Sequence, residues 1–120
     1  MEQVKELTQI VLRDLQVGLP ASDPVVTYKP SDTENHVEVL VQDQTGMGVG
    51  FQVDASQAKQ AILRDLADRI PDAFVELFTV GLPVVPGTQR PAVPEIVSGV
   101  TVWVDPGGTS NWSCAVGEYQ

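Results

Sequence analysis

The sequence predicts an α+β fold: two helix–β-hairpin units giving a mainly antiparallel four- to five-stranded sheet, with two long helices packed on one face. Three observations predict it. Thr8–Pro20 (TQIVLRDLQVGLP) and Lys59–Pro71 (KQAILRDLADRIP) share six of thirteen residues: Gln9/Gln60, Leu12/Leu63, Arg13/Arg64, Asp14/Asp65, Leu15/Leu66 and Pro20/Pro71. Both segments have an amphipathic helical period. Each is followed by a Val-x-Val-x-Val run that reaches a turn, VEVLVQDQTG from Val37 and VTVWVDPGG from Val100, the pattern of a strand entering a hairpin.

The elements follow in order. Val4, Leu7, Val11 and Leu15 give helix one from about Glu2 to Val17, with Ile10 and Leu12 widening the stripe. Gly18 is placed as its left-handed cap, and Pro20 blocks continuation. Val25–Tyr28 is a short edge strand. Val37, Val39 and Val41, then Met47, Val49, Phe51 and Val53 after the Gln44-Thr45-Gly46 turn, form the buried rows of the first hairpin. The opposite face carries Glu38, Leu40, Gln42, Gly48, Gly50 and Gln52, and its two glycines leave a bare patch of backbone.

Asp54-Ala-Ser-Gln57 resembles a capping box opening helix two, whose apolar face is Ala58, Ala61, Ile62, Leu66 and Ile70. Pro71 is expected to kink or end that helix. Asp72–Phe78 then reads as a short third helix that buries Phe74, Leu77 and Phe78 and stops at Gly81. Leu82–Pro94, with its prolines, reads as a loop. In the last hairpin Val100, Val102 and Val104 form the expected inner row, continued by Trp112, Cys114 and Val116. Thr101 and Trp103 fall on the other side. Trp103 either packs under a helix or stands exposed as a contact anchor, and its burial energy favours the core.

The 120 residues are read as a single α+β domain, with a possible internal repeat of 1–54 and 55–120. The helices are offset by 51 residues and the Val-x-Val strands by 63, so the second copy carries 12 extra residues around Phe74–Phe78 and the proline-rich loop. A net charge of −9 argues against nucleic acid or an anionic membrane as partner, since both need a basic face. The N-terminus is amphipathic rather than a signal peptide, and no apolar run approaches the roughly 20 residues of a membrane span. A reducing cytoplasm is the expected compartment. The Asn111-Trp112-Ser113 sequon then has no role, and the single cysteine, Cys114, forms no internal disulfide.

Residues Gly81–Gly117 resemble the C-terminal part of a group of small actinobacterial proteins without an assigned activity. The resemblance rests on Pro86-Gly87, Pro91, Val97-Ser98-Gly99, the strand Val100–Val104, Pro106 and Gly117. It covers less than a third of the chain. Many members carry Cys and His in the loop and Cys-Pro in the turn. This chain has Pro83, Thr88, Gln89 and Asp105-Pro106 in those regions, so the metal site implied by the resemblance is missing its ligands.

Candidate chemistry is sparse. His36, the only histidine, precedes a strand and reads as a strand-end residue, since a general base needs a nucleophile and an orienting group. Cys114 reads as a small core residue without a basic neighbour. One His and one Cys do not build a zinc site, and no stretch has calcium-loop spacing. Gly46-Met-Gly48-Val-Gly50 lies inside a strand and is no nucleotide fingerprint. Asp65, Asp68, Asp72 and Glu76 would line one helical stripe, either a solvated face or an acidic docking surface for a basic partner.

No catalytic set, metal site or cofactor is expected. The chain reads as a non-enzymatic protein-interaction module, with a protein partner or self-association as a homodimer through the open sheet face or an edge strand. The alternative is a small-ligand-binding domain using the 82–94 loop and Trp103. Trp103, Gly48, Gly50, Thr101 and Arg90 are the candidate contact residues.

Overall fold

A computed structural model describes residues 1–16, 24–108 and 110–119. α1 (Glu2–Gln16) forms on the stripe of Val4, Leu7, Val11 and Leu15, all buried. Thr8 joins that stripe because its hydroxyl donates to the Val4 carbonyl at 2.7 Å, which satisfies it within the helix. The expected helix end at Val17, the Gly18 cap and the Pro20 stop lie outside the described residues.

β1 (Val25–Pro30), β2 (His36–Gln42) and β3 (Gly48–Asp54) form an antiparallel meander in that order. The anticipated edge strand is β1, with Tyr28 opposite Val39. Val37, Val39, Val41 and Val53 are buried, as the period-two pattern predicts, with Val49 and Phe51 packed against them, but Met47, expected in the same row, precedes the strand and is 68% exposed. The β2–β3 turn is held by Asp43, whose Oδ1 accepts the backbone N–H of Thr45 at 2.8 Å and of Met47 at 3.1 Å.

α2 (Lys59–Phe78) differs from expectation at both ends and in the middle. It has no capping box: Ala58 is the N-cap without a side-chain bond, and Asp54 ends β3 with its Oδ1 accepting from Ser56 N–H at 2.9 Å. Pro71 neither breaks the helix nor starts a third one; the chain stays helical to Phe78. Proline inside a helix costs about 3 kcal/mol. Burial of Ile70, Ala73 and Phe74 on both sides of Pro71 offsets that cost, at roughly 1.5–3 kcal/mol for each large apolar side chain. The helix stops at Thr79, left-handed at φ 57°, whose N–H bonds Val75 O, rather than at Gly81.

The second sheet is β4 (Val93–Val97), β5 (Val100–Val104) and β6 (Ser113–Ala115), again an antiparallel meander in chain order. Strand β4 falls at the end of the expected loop and is an edge strand, the place in a sheet where Pro94 is tolerated. Ser98 (φ 51°) and Gly99 (φ 80°) supply the two left-handed residues of a tight hairpin turn.

Among the described residues the fold is thus α+β with two helices and two three-stranded antiparallel sheets, not one sheet of four or five strands. Each helix precedes a three-stranded meander. Neither do two helices simply share one sheet face: α1 packs on α2, and α2 contacts both sheets, β2 and β3 of the first and β4 and β5 of the second.

The orientation of β5 also overturns the expectation. Thr101 (1% exposed) and Trp103 (0%) face the helices, whereas Val100 is 46% exposed. Alternation separates two sets of side chains without deciding which set is inside. Here polar partners decide. Trp103 Nε1 donates to Asp14 Oδ2 at 2.7 Å. Thr101 N–H donates to Gln60 Oε1 at 2.8 Å and its hydroxyl to Gln60 O at 2.9 Å. The two Val-x-Val-x-Val runs are therefore out of phase: Val37 faces in and Val100 faces out.

Candidate functional site

Each three-stranded sheet has two edges, and unpaired edges invite another strand unless charge, proline or brevity blocks it. β1 carries Lys29 and Pro30, β4 carries Pro94 and Glu95, and β6 is three residues long. β3 has seven residues and neither charge nor proline before Asp54.

The register shows which groups that edge presents. Asp43 N–H bonds Met47 O at 2.9 Å, and Ala55 N–H bonds Asn35 O at 2.7 Å. Hydrogen-bonded pairs alternate along an antiparallel ladder. Val49, Phe51 and Val53 therefore bond inward to Val41, Val39 and Val37. The N–H and C=O groups of Gly48, Gly50 and Gln52 point away from β2, and among the described residues no backbone hydrogen bond reaches them.

Beside this edge lies a groove of about 450 Å³ lined by Val49, Phe51, Arg69, Asp72, Val75 and Glu76, among others. Its β3 wall is apolar because Val49 and Phe51 face the helix side of the sheet. Its α2 wall is the exposed turn after Arg69, where Val75 is 48% exposed. Arg69 Nε is 3.1 Å from Asp65 Oδ1, and its guanidinium lies 5.8 Å from the Phe51 ring centre. Asp72 and Glu76, both exposed, have no ion pair among the described residues. The groove is left acidic by these two carboxylates.

The other sequence candidates scatter. Gly48 and Gly50 lie on the open edge, but their outer face is not bare backbone. Leu40 lies over both, its Cδ1 3.1 Å from where a Gly48 Cβ would stand and 3.7 Å from a Gly50 Cβ. Trp103 and Thr101 are interior and offer no contact surface. Arg90 is held by Asp105, with Nη2 2.9 Å from Oδ2 and Nε 3.3 Å from Oδ1. That guanidinium, the Gly107 N–H and the Ser110 hydroxyl hold the Asp105 carboxyl well below the usual carboxylate range. The 82–94 loop packs inward through Leu82, Val85 and Ala92.

His36 Nδ1 is 2.8 Å from Glu34 O at the start of β2, a strand-end arrangement. Cys114 is partly buried, and burial together with Asp14 and Glu118 pushes its thiol pKa up, which keeps it a weak nucleophile. Burial likewise raises the Tyr28 phenol, whose hydroxyl lies near Thr8 and Gln9 without a well-formed hydrogen bond. No described group of three His, Cys, Asp or Glu side chains is arranged to hold a metal ion. No described helix is long and apolar enough to cross a membrane.

Sequence reading missed two features. Asp14 is 1% exposed and gathers three N–H donors: Trp103 Nε1, Gly117 N at 2.6 Å and Tyr119 N at 3.2 Å. In the sequence Asp14 stands out only as the match to Asp65 in the repeated segment. The second is the outward valine face of the β4–β6 sheet, where Val97 and Val100 are about half exposed beside a groove of about 290 Å³ at Trp112.

The chain matches no protein-family model, no curated protein and no solved structure. The likeness of residues 81–117 to the actinobacterial group therefore rests on its quoted motifs alone.

Proposed function

We propose that the protein is a non-enzymatic interaction module that engages another polypeptide by strand addition to the open edge of β3. The observation that carries this reading is the edge itself: seven residues, outward N–H and C=O groups at Gly48, Gly50 and Gln52, and none of the protections of the other three edges. In strand addition the main-chain bonds supply affinity and the adjoining groove supplies selectivity.

Selection from a random peptide display library tests it, with Gln52→Pro as counter-target. Proline at 52 removes an outward N–H and leaves the ladder to β2 intact, so the variant keeps its fold while losing a docking group. Peptides enriched on the wild type and not on a folded Gln52→Pro variant support the reading. No enrichment, together with a strict monomer in light scattering, sinks it.

A further inference from the structure

We infer that the occupant of the β3 edge is an extended segment of another protein in which basic residues alternate with β-branched or small apolar ones. This rests on the strand-addition reading and specifies the chemistry of its partner.

A strand paired to β3 continues the two faces of its sheet. On the helix side, its alternate side chains enter the groove between Phe51 and Val75 and end at Asp72 and Glu76. Lys and Arg suit that path: the methylene stem lies along apolar side chains and the charged head reaches the carboxylates. Arg69 at the same wall opposes them less than a free base would, because its guanidinium is paired with Asp65 at 3.1 Å. An acidic segment would instead meet two unpaired carboxylates on a chain of net charge −9. On the outer side, the intervening side chains lie beside Gly48 and Gly50, which add no bulk, and beside Leu40, which offers an apolar contact. Val, Thr or Ala fits there. The charge pattern also disfavours a second copy of this chain, since β3 itself carries no Lys or Arg to set against Asp72 or Glu76.

The probe is a fluorescein-labelled octapeptide alternating Thr/Val with Lys, compared with the same peptide carrying Glu for Lys, in fluorescence anisotropy. The Lys peptide is expected to bind at least about tenfold more tightly than the Glu peptide. Asp72→Asn with Glu76→Gln should weaken it about threefold to tenfold and flatten its salt dependence. Gln52→Pro should abolish binding. Equal affinity for both peptides, or binding untouched by the Asp72/Glu76 changes, overturns the basic-partner assignment. If such binding is still lost in Gln52→Pro, strand addition survives without it. Binding unaffected by Gln52→Pro marks diffuse attraction to an acidic surface and overturns both. A dimer in light scattering that Gln52→Pro dissociates assigns the edge to a second copy instead.

Discussion

The Trp103 indole N–H meets the Asp14 carboxylate at 2.7 Å, joining α1 to β5 across 89 residues of sequence. The same carboxylate accepts the N–H groups of Gly117 and Tyr119, so one buried side chain ties the first helix to the second sheet and to the C-terminal turn. Removing it strands three donors in the interior. Asp14→Ala should lower unfolding free energy by roughly 2–4 kcal/mol, measured by urea titration. Asp14→Asn keeps one acceptor oxygen and should lose less. Equal stability of wild type and Asp14→Ala would refute the clamp.

Gly117 is fixed by the same contact. Its φ of 103° and the 2.7 Å between a built Cβ and Ile10 Cγ2 leave no room for a side chain. Gly117→Ala should destabilise by at least about 1 kcal/mol in the same assay. A neutral result would place the turn wrongly against α1.

Gly50 makes the opposite prediction. An added Cβ meets only Leu40 Cδ1 at 3.7 Å and Val39 O at 3.8 Å, ordinary contact distances, and no left-handed backbone is needed. Gly50→Ala should stabilise by about 0.5–1 kcal/mol through the unfolded chain's lost freedom. Gly48→Ala gains less, since its Cβ approaches Gln42 Cγ to 2.9 Å. Destabilisation by Gly50→Ala would mean the edge is more crowded around Leu40 and Val39 than these distances allow.

The pH dependence centres on Asp105. Its folded pKa lies below its unfolded value, so its stabilisation is fully present above the ordinary carboxylate pKa of about 3.9. That stabilisation declines as pH falls from there towards the depressed folded value. Asp43 and Asp54, lowered mainly by the Thr45 and Ser56 hydroxyls, act in the same direction. The urea midpoint should drop between about pH 5 and pH 2. Asp105→Asn should start lower at neutral pH and show a shallower drop. An unchanged slope in that variant would remove Asp105 from the acid response.

What the sequence made legible was whatever a local period encodes. The 3.6 period put Val4, Leu7, Val11 and Leu15 inside, and the period of two did the same for Val37, Val39 and Val41. The facing of β5 was not legible, because both its sets are apolar enough to bury and the choice rests on Asp14 and Gln60, distant in sequence. The uninterrupted α2 was hidden by the local rule for Pro71, which burial of Ala73 and Phe74 overrides. Of the candidate site, Gly48 and Gly50 were visible as a pair, yet their meaning was not a bare patch: ladder phase decides which N–H groups point outward. The acidic stripe did not act as a unit: Asp65 pairs with Arg69, Asp68 is exposed outside the groove, and Asp72 and Glu76 line it.

Backbone hydrogen exchange by NMR, residue by residue along β3, tests the open edge most directly. In the free protein the amides of Gly48, Gly50 and Gln52 should exchange much faster than those of Val49, Phe51 and Val53, and the Thr/Val–Lys peptide should slow the first set. Strong protection of all six amides in the isolated monomer would mean that the edge is already covered, and would contradict strand addition at β3.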